Sequence, residues 1–169
     1  MFKPTVIGRV QKLLDYYNRV NGNHWLLVGN SSSWDNEDFP PIPSDSIDSI
    51  VQPIKFFRVT SYAPCFVSNT GDIQTGNGNF QSINTFNAVN LIDQKATNLA
   101  VNIVLTNTDI VGVTYRSVGL CNSLNINPVG VEVQPYSSNI IYQLEGVSYL
   151  SPQTSNSNLN DLYQIIIEF

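Results

Sequence analysis

Charge is what this sequence has least of. Only 12% of its 169 residues are Asp, Glu, Lys or Arg, against roughly 25% in an ordinary globular protein. Eight basic residues face thirteen acidic ones, for a net charge of −5. Such a chain offers no basic footprint for nucleic acid or for an anionic membrane surface. Disorder needs low hydrophobicity and high net charge, and a chain that is 42% hydrophobic has neither. The Ala, Glu, Lys, Leu and Arg excess of a coiled coil is missing. No apolar run approaches the roughly 18 residues of a membrane-crossing helix. The start, Met1 to Val6, leads into a polar helical stretch without the apolar core of an export signal. Synthesis and retention in a cytoplasm are therefore expected.

Catalytic material is equally scarce. His24 is the single histidine, and no Gly-x-Ser-x-Gly elbow occurs. A serine nucleophile needs an imidazole to take its proton, yet His24 sits between a helix stop and an apolar strand. It reads as a turn or strand-edge residue. The two cysteines, Cys65 and Cys121, make no disulfide framework and read as buried free thiols on β-rich stretches. Asp35, Glu37, Asp38, Asp45 and Asp48 are the best metal or acid–base candidates, but they do not follow the spacing of a Ca²⁺ loop. They read as solvated or partner-facing acids. Gly76 and Gly78 lack the third glycine and the lysine of a phosphate loop. No catalytic, cofactor-binding or metal-ligating residue is assigned, and no cofactor is expected.

Asparagine and serine are what the chain has in plenty, 21 and 17 of them. One segment reads as helix, over about residues 5–20. Val6, Val10, Leu13, Leu14 and Tyr17 form one stripe on a 3.6-residue period. Pro4 suits the first turn, and Asn21-Gly22 the stop. His24–Gly29 reads as a buried strand. Residues 31–48 are polar, acidic and proline-rich. Pro40, Pro41 and Pro43 forbid helix and favour an extended arm, with Ser44 or Asp45 able to cap a short helical turn through Ile50. Further strands are expected at 54–61, 65–68, 99–106, 111–120, 130–134, 140–144 and 162–169. Turns fall at 69–72, 76–79, 125–128 and Ser151-Pro152. Residues 71–98 fit helix and strand alike. Short strands at this spacing predict a mainly β, β-sandwich-like single domain over residues 1–169 with an N-terminal amphipathic helix.

Two regions carry a resemblance. The first is Phe2 to Ile50: a helix ending Leu13-Leu14-Asp15-Tyr16-Tyr17-Asn18, an apolar strand, a Trp34 loop, then Pro40-Pro41-Ile42-Pro43-Ser44-Asp45-Ser46. The second is Val113 to Phe169, with Tyr115-Arg116-Ser117-Val118-Gly119-Leu120, Asn127-Pro128, Ile140–Glu145 and the closing Asp161–Phe169 strand. In this order they resemble the β-rich, dimer-forming baseplate wedge subunit of T-even-type contractile-tailed phages. The family's large central portion is missing, so the chain looks like a shortened form. Leu159-Asn160-Asp161 also departs from the family's Gln-x-Glu.

The resemblance implies a non-enzymatic structural virion protein of the tail baseplate, made in the host bacterial cytoplasm. Its expected partners are other wedge proteins and a second copy of itself, with no nucleic acid and no membrane. Sparse charge fits such a part, since desolvating unpaired charges is costly and amides pair across wet interfaces. The candidate interface residues are Trp34, Phe39, Pro40, Pro41, Pro43 and Arg116. Arg116 either anchors a strand end through a carboxylate or is a surface arginine. Two rivals remain. One is a receptor- or carbohydrate-binding tail module using Trp34 and Phe39, and the other is a neck or tail-completion protein.

Overall fold

The structure, a computed structural model, describes residues 3–30, 32–76, 78–105, 110–127, 129–154 and 161–169. Phe2, Ser31, Asn77, Thr106, Pro128, Leu159 and Asn160, which belong to segments read above, lie outside the described residues. The chain is mainly β, with two five-stranded antiparallel sheets and an N-terminal helix. It forms two compact units. One comprises Met1–Asn21, Thr60–Asn102 and Gln164–Phe169, and the other Gly22–Val59 and Ile103–Tyr163.

In the first unit, helix α1 spans Val6–Val20. Thr5 is its N-cap, the hydroxyl accepting the Gly8 N–H at 3.1 Å, so Pro4 precedes the cap instead of filling the first turn. The helix ends because Gly22, at φ +90°, takes the left-handed turn; Asn21 keeps φ −57°. Of the stripe, Val10 and Leu13 are buried and Val6, Leu14 and Tyr17 partly so; Val20, outside the stripe, is buried as well. Tyr17 stacks on Phe86 at 3.8 Å and meets Tyr62 edge-on.

The sheet whose strands lie mostly in this unit has the order β10 (Asp161–Glu168), β6 (Asn98–Leu105), β3 (Ser61–Val67), β5 (Gly78–Ser82), β4 (Ile73–Thr75). Cys65, Ile73, Phe80 and Ala100 form its core, with Ile166 packed on them. Residues 71–98, ambiguous in sequence, hold β4, β5 and the short helix α2 (Ala88–Asp93), capped by the Asn87 side chain. The expected strand 54–61 divides. Val59 N–H still bonds His24 C=O, whereas Thr60 N–H bonds Asn102 C=O in the other sheet.

In the second unit the sheet order is β8 (Val133–Pro135), β2 (Pro53–Arg58), β1 (His24–Gly29), β7 (Thr114–Ser123), β9 (Tyr142–Thr154). All six residues of β1 are buried, which suits an uninterrupted apolar run at a sheet's centre. Trp25, Leu27, Phe56, Cys121, Ile50 and Ile126 form the core on one face. Both thiols are free and buried. Burial pushes Cys65 up to about 11 and Cys121 up to about 12, so neither is a thiolate nucleophile at neutral pH.

Two sequence expectations fail here. No helical turn runs from Ser44 to Ile50; the Ile47 N–H bonds Ser44 C=O in an isolated turn. Ser151-Pro152 is no turn either but lies inside β9, which is far longer than the expected 140–144. A proline fits there because β9 is an edge strand and locally out of register with β7.

Residues 30–52 connect β1 to β2, a longer loop than the roughly 12–15 residues beyond which loops are uncommon without a function. Its base is closed by the Asn30 N–H on Gln52 C=O at 3.0 Å. Ile50, 4% exposed, is driven into a notch over Gly29 and Gly119. A Cβ on Gly119 would meet Ile50 Cδ1 at 2.8 Å and Leu144 Cδ1 at 2.6 Å. A Cβ on Gly29 would meet Ile50 Cγ2 at 2.3 Å and the backbone oxygen of Val51 at 2.7 Å. Burying Ile50 is worth about 1.5–3 kcal/mol, and it requires both glycines. Side-chain tips can yield and a backbone carbonyl cannot. Gly29→Ala is therefore expected to destabilise by about 1–3 kcal/mol and Gly119→Ala by less, read as shifts in the urea midpoint. Equal or absent shifts would contradict the notch.

Candidate partner-docking site

The loop reaches its functional shape through two contacts at one place. Between the pairs Tyr115↔Gln153 and Ser117↔Tyr149, Arg116 of β7 stands opposite three residues of β9, Leu150, Ser151 and Pro152. The excess interrupts the ladder and leaves Leu150 without a register partner. Trp34 answers it. Its Nε1–H donates to the Leu150 carbonyl at 2.9 Å, and its ring packs on Tyr149 at 4.9 Å.

Three residues on, Glu37 takes the other strand. Arg116 Nε donates to both Glu37 carboxylate oxygens at 3.1 Å, and Nη2 to Oε1 at 3.0 Å. Arg116 Nη1 also reaches the Asn30 side-chain oxygen at 3.4 Å. The Arg116 hydrogen bonds hold the Glu37 carboxyl below its ordinary value, opposed by partial desolvation and helped by the Arg116 charge, the Trp34 N–H and Ser33. Such forked pairs fix geometry as well as supplying attraction.

Beyond this clamp the loop turns outward. The Asn36 side chain accepts the Asp38 N–H, and the Phe39 N–H bonds Asn36 C=O. That turn projects Phe39, 78% exposed; Pro41 is exposed and Ile42 is 94% exposed, while Pro40 and Pro43 are half-buried. The six candidate interface residues therefore separate into two groups. Trp34 and Arg116 are engaged with their own chain. Phe39 and Pro41 are exposed at the projecting tip, with Pro40 between them half-buried, and Pro43 is half-buried at the tip's base. Sequence reading missed Glu37, placing it among solvated acids, and its partner lies 79 residues away.

His24 stands at the end of a strand, as the sequence suggests, and has a carboxylate neighbour that the sequence did not show. It opens the central strand β1, is buried, and lies 3.3 Å from a carboxylate oxygen of Glu145. Glu145 is the extra residue of a second register shift, between Leu120↔Gly146 and Cys121↔Leu144. Among the described residues, no three His, Cys, Asp or Glu side chains converge as a metal would require, and no helix is long and apolar enough to cross a membrane.

The family comparison gives the class as a structural component of the phage tail baseplate. The particular family is the baseplate wedge 3 tail fiber network component, whose model matches residues 5–169, and the chain belongs to it. No curated protein matches the chain.

The clamp has a pH signature. Glu37 is depressed below its ordinary 4.5 in the folded chain. Its contribution is therefore complete above that value and lost as pH falls through the lower, folded value. The protection of amides at residues 32–38 against hydrogen exchange, taken relative to the intrinsic rate at each pH, is expected to fall on acidification into that range, while protection in β1 stays high. In Glu37→Gln the acid-dependent step disappears; a step unchanged in that variant would exclude the Arg116 pair as its origin.

Proposed function

We propose that the chain is a non-enzymatic wedge subunit of a contractile-tail baseplate, acting as a homodimer and joining neighbouring wedge proteins through the tip of the 30–52 loop. Membership of the baseplate family supports the location in the virion tail. The observation that carries the docking role is the tip itself. A loop clamped at Trp34 and Glu37 still presents Phe39, Pro41 and Ile42 to solvent. Exposed apolar side chains on a braced, proline-stiffened segment dock with little loss of conformational entropy, and aromatic residues commonly anchor such interfaces.

The homodimer and synthesis in the host cytoplasm rest on the resemblance of the two terminal regions to the dimer-forming wedge subunit. Residues 1–169 are proposed to fold as one cooperative domain. In support, the first unit is built from three separate chain segments and the second from two, so no single cut isolates either.

The carbohydrate-binding alternative would use Trp34 and Phe39. Trp34 is already engaged, its ring packed on Tyr149 and its indole N–H bonded to Leu150, which leaves Phe39 as the exposed aromatic of that reading. A neck or tail-completion role has no specific observation in its favour.

Phe39→Ala separates docking from folding. The variant is expected to keep the circular dichroism and thermal midpoint of the parent, because Phe39 is exposed. Its incorporation into wedges is expected to fall at least about tenfold, the effect of truncating an interface anchor. Normal incorporation would remove the tip from the interface. Light scattering on the parent protein is expected to give twice the chain mass, and a monomer at all concentrations would remove the homodimer.

A further inference from the structure

A groove of about 520 Å³ lies beside the clamp, between the loop and β9. Its lining is mixed, with Ile47, Leu144 and Val147 among the apolar side chains and Ser44, Asp45 and Glu145 among the polar ones, and the surface it exposes is mostly polar. Strand β9 is last in its sheet, so among the described residues no further strand pairs with its outer edge. Gly146, exposed in that stretch, would carry a Cβ with nothing within 4 Å. A sheet edge that lines an open groove can take an extended peptide, with main-chain bonds giving affinity and alternate side chains giving choice.

Charge decides the kind of peptide. Residues 30–52 hold five acids and no lysine or arginine. The second unit as a whole has nine acids against three bases, while the first has four against five. Glu37 is answered by Arg116 and Glu145 faces His24. Asp45 is exposed on the groove wall. A second copy bringing the same acidic loop to this place would be repelled.

We propose that this groove receives an extended segment of a neighbouring baseplate subunit, in which aliphatic residues pack on Ile47, Leu144 and Val147 and a lysine or arginine meets Asp45. The inference rests on the baseplate reading above and adds the partner's chemistry to it.

The test uses the full chain, with a photo-cross-linking phenylalanine analogue in place of the exposed Ile42, in tails purified from infected cells. The expected cross-link maps by mass spectrometry to a basic, aliphatic-rich segment of another baseplate subunit. Gly146→Trp fills the groove and Asp45→Lys reverses its charge. Both sites are exposed, so both variants are expected to stay folded by circular dichroism, and each lowers the cross-link yield about tenfold or more. A cross-link to a second copy of this chain overturns the groove proposal. So does one to an acidic or uncharged segment, a yield indifferent to both substitutions, or no cross-link in tails that contain the chain. Those results leave the baseplate reading standing. Absence of the parent chain from purified tails removes both.

Discussion

Opposite Arg116, strand β9 runs two residues longer than its partner β7 can match. That mismatch is the constraint on which the loop depends. At that place the Leu150 carbonyl accepts the Trp34 indole N–H, and the guanidinium on the facing strand takes Glu37. Trp34 and Glu37 are only three residues apart in the chain, so one short stretch bridges both strands at the place where they disagree. A proline that would break a central strand is what marks that place in the sequence.

The clamp would be of little use without the notch. A loop spanning residues 30–52 has a closure cost that grows only slowly with its length. What it needs is a fixed entry and exit. Asn30 and Gln52 supply one hydrogen bond at the base, and Ile50, seated over two glycines, supplies the buried anchor. The loop is thus held at its root by core packing and at mid-length by polar contacts, and only residues 39–42 project. Sparse charge is consistent with this economy, since Arg116 is paired with Glu37 and the Glu145 carboxylate lies beside His24.

Local patterns made much of the fold legible. The stripe from Val6 to Tyr17 gave α1, and the unbroken run His24–Gly29 gave a fully buried strand. The prolines at 40, 41 and 43 correctly forbade regular structure. Features that depend on pairing between distant segments did not show. Ser151-Pro152 has the signature of a turn, and only the neighbouring strand reveals a register slip. Glu37 resembles any other loop acid until Arg116 is folded beside it. Residues 71–98 alternate weakly because β4 is three residues long and α2 six, too short for a period to emerge. Of the clamp, a carboxylate partner for Arg116 was one of two readings open in the sequence, while Glu37 as that partner and the Trp34 bond to Leu150 were not visible there.

The closed base of the loop also fixes how a pull on its tip would travel. Force applied at Phe39 to a simple connection between β1 and β2 would open their ladder one hydrogen bond at a time, from Gly29 inward. With Glu37 held by β7 and Trp34 by β9, the same pull is divided among strands and meets several bonds at once. A register irregularity that looks like a flaw in the sheet thereby becomes the point through which mechanical load enters it.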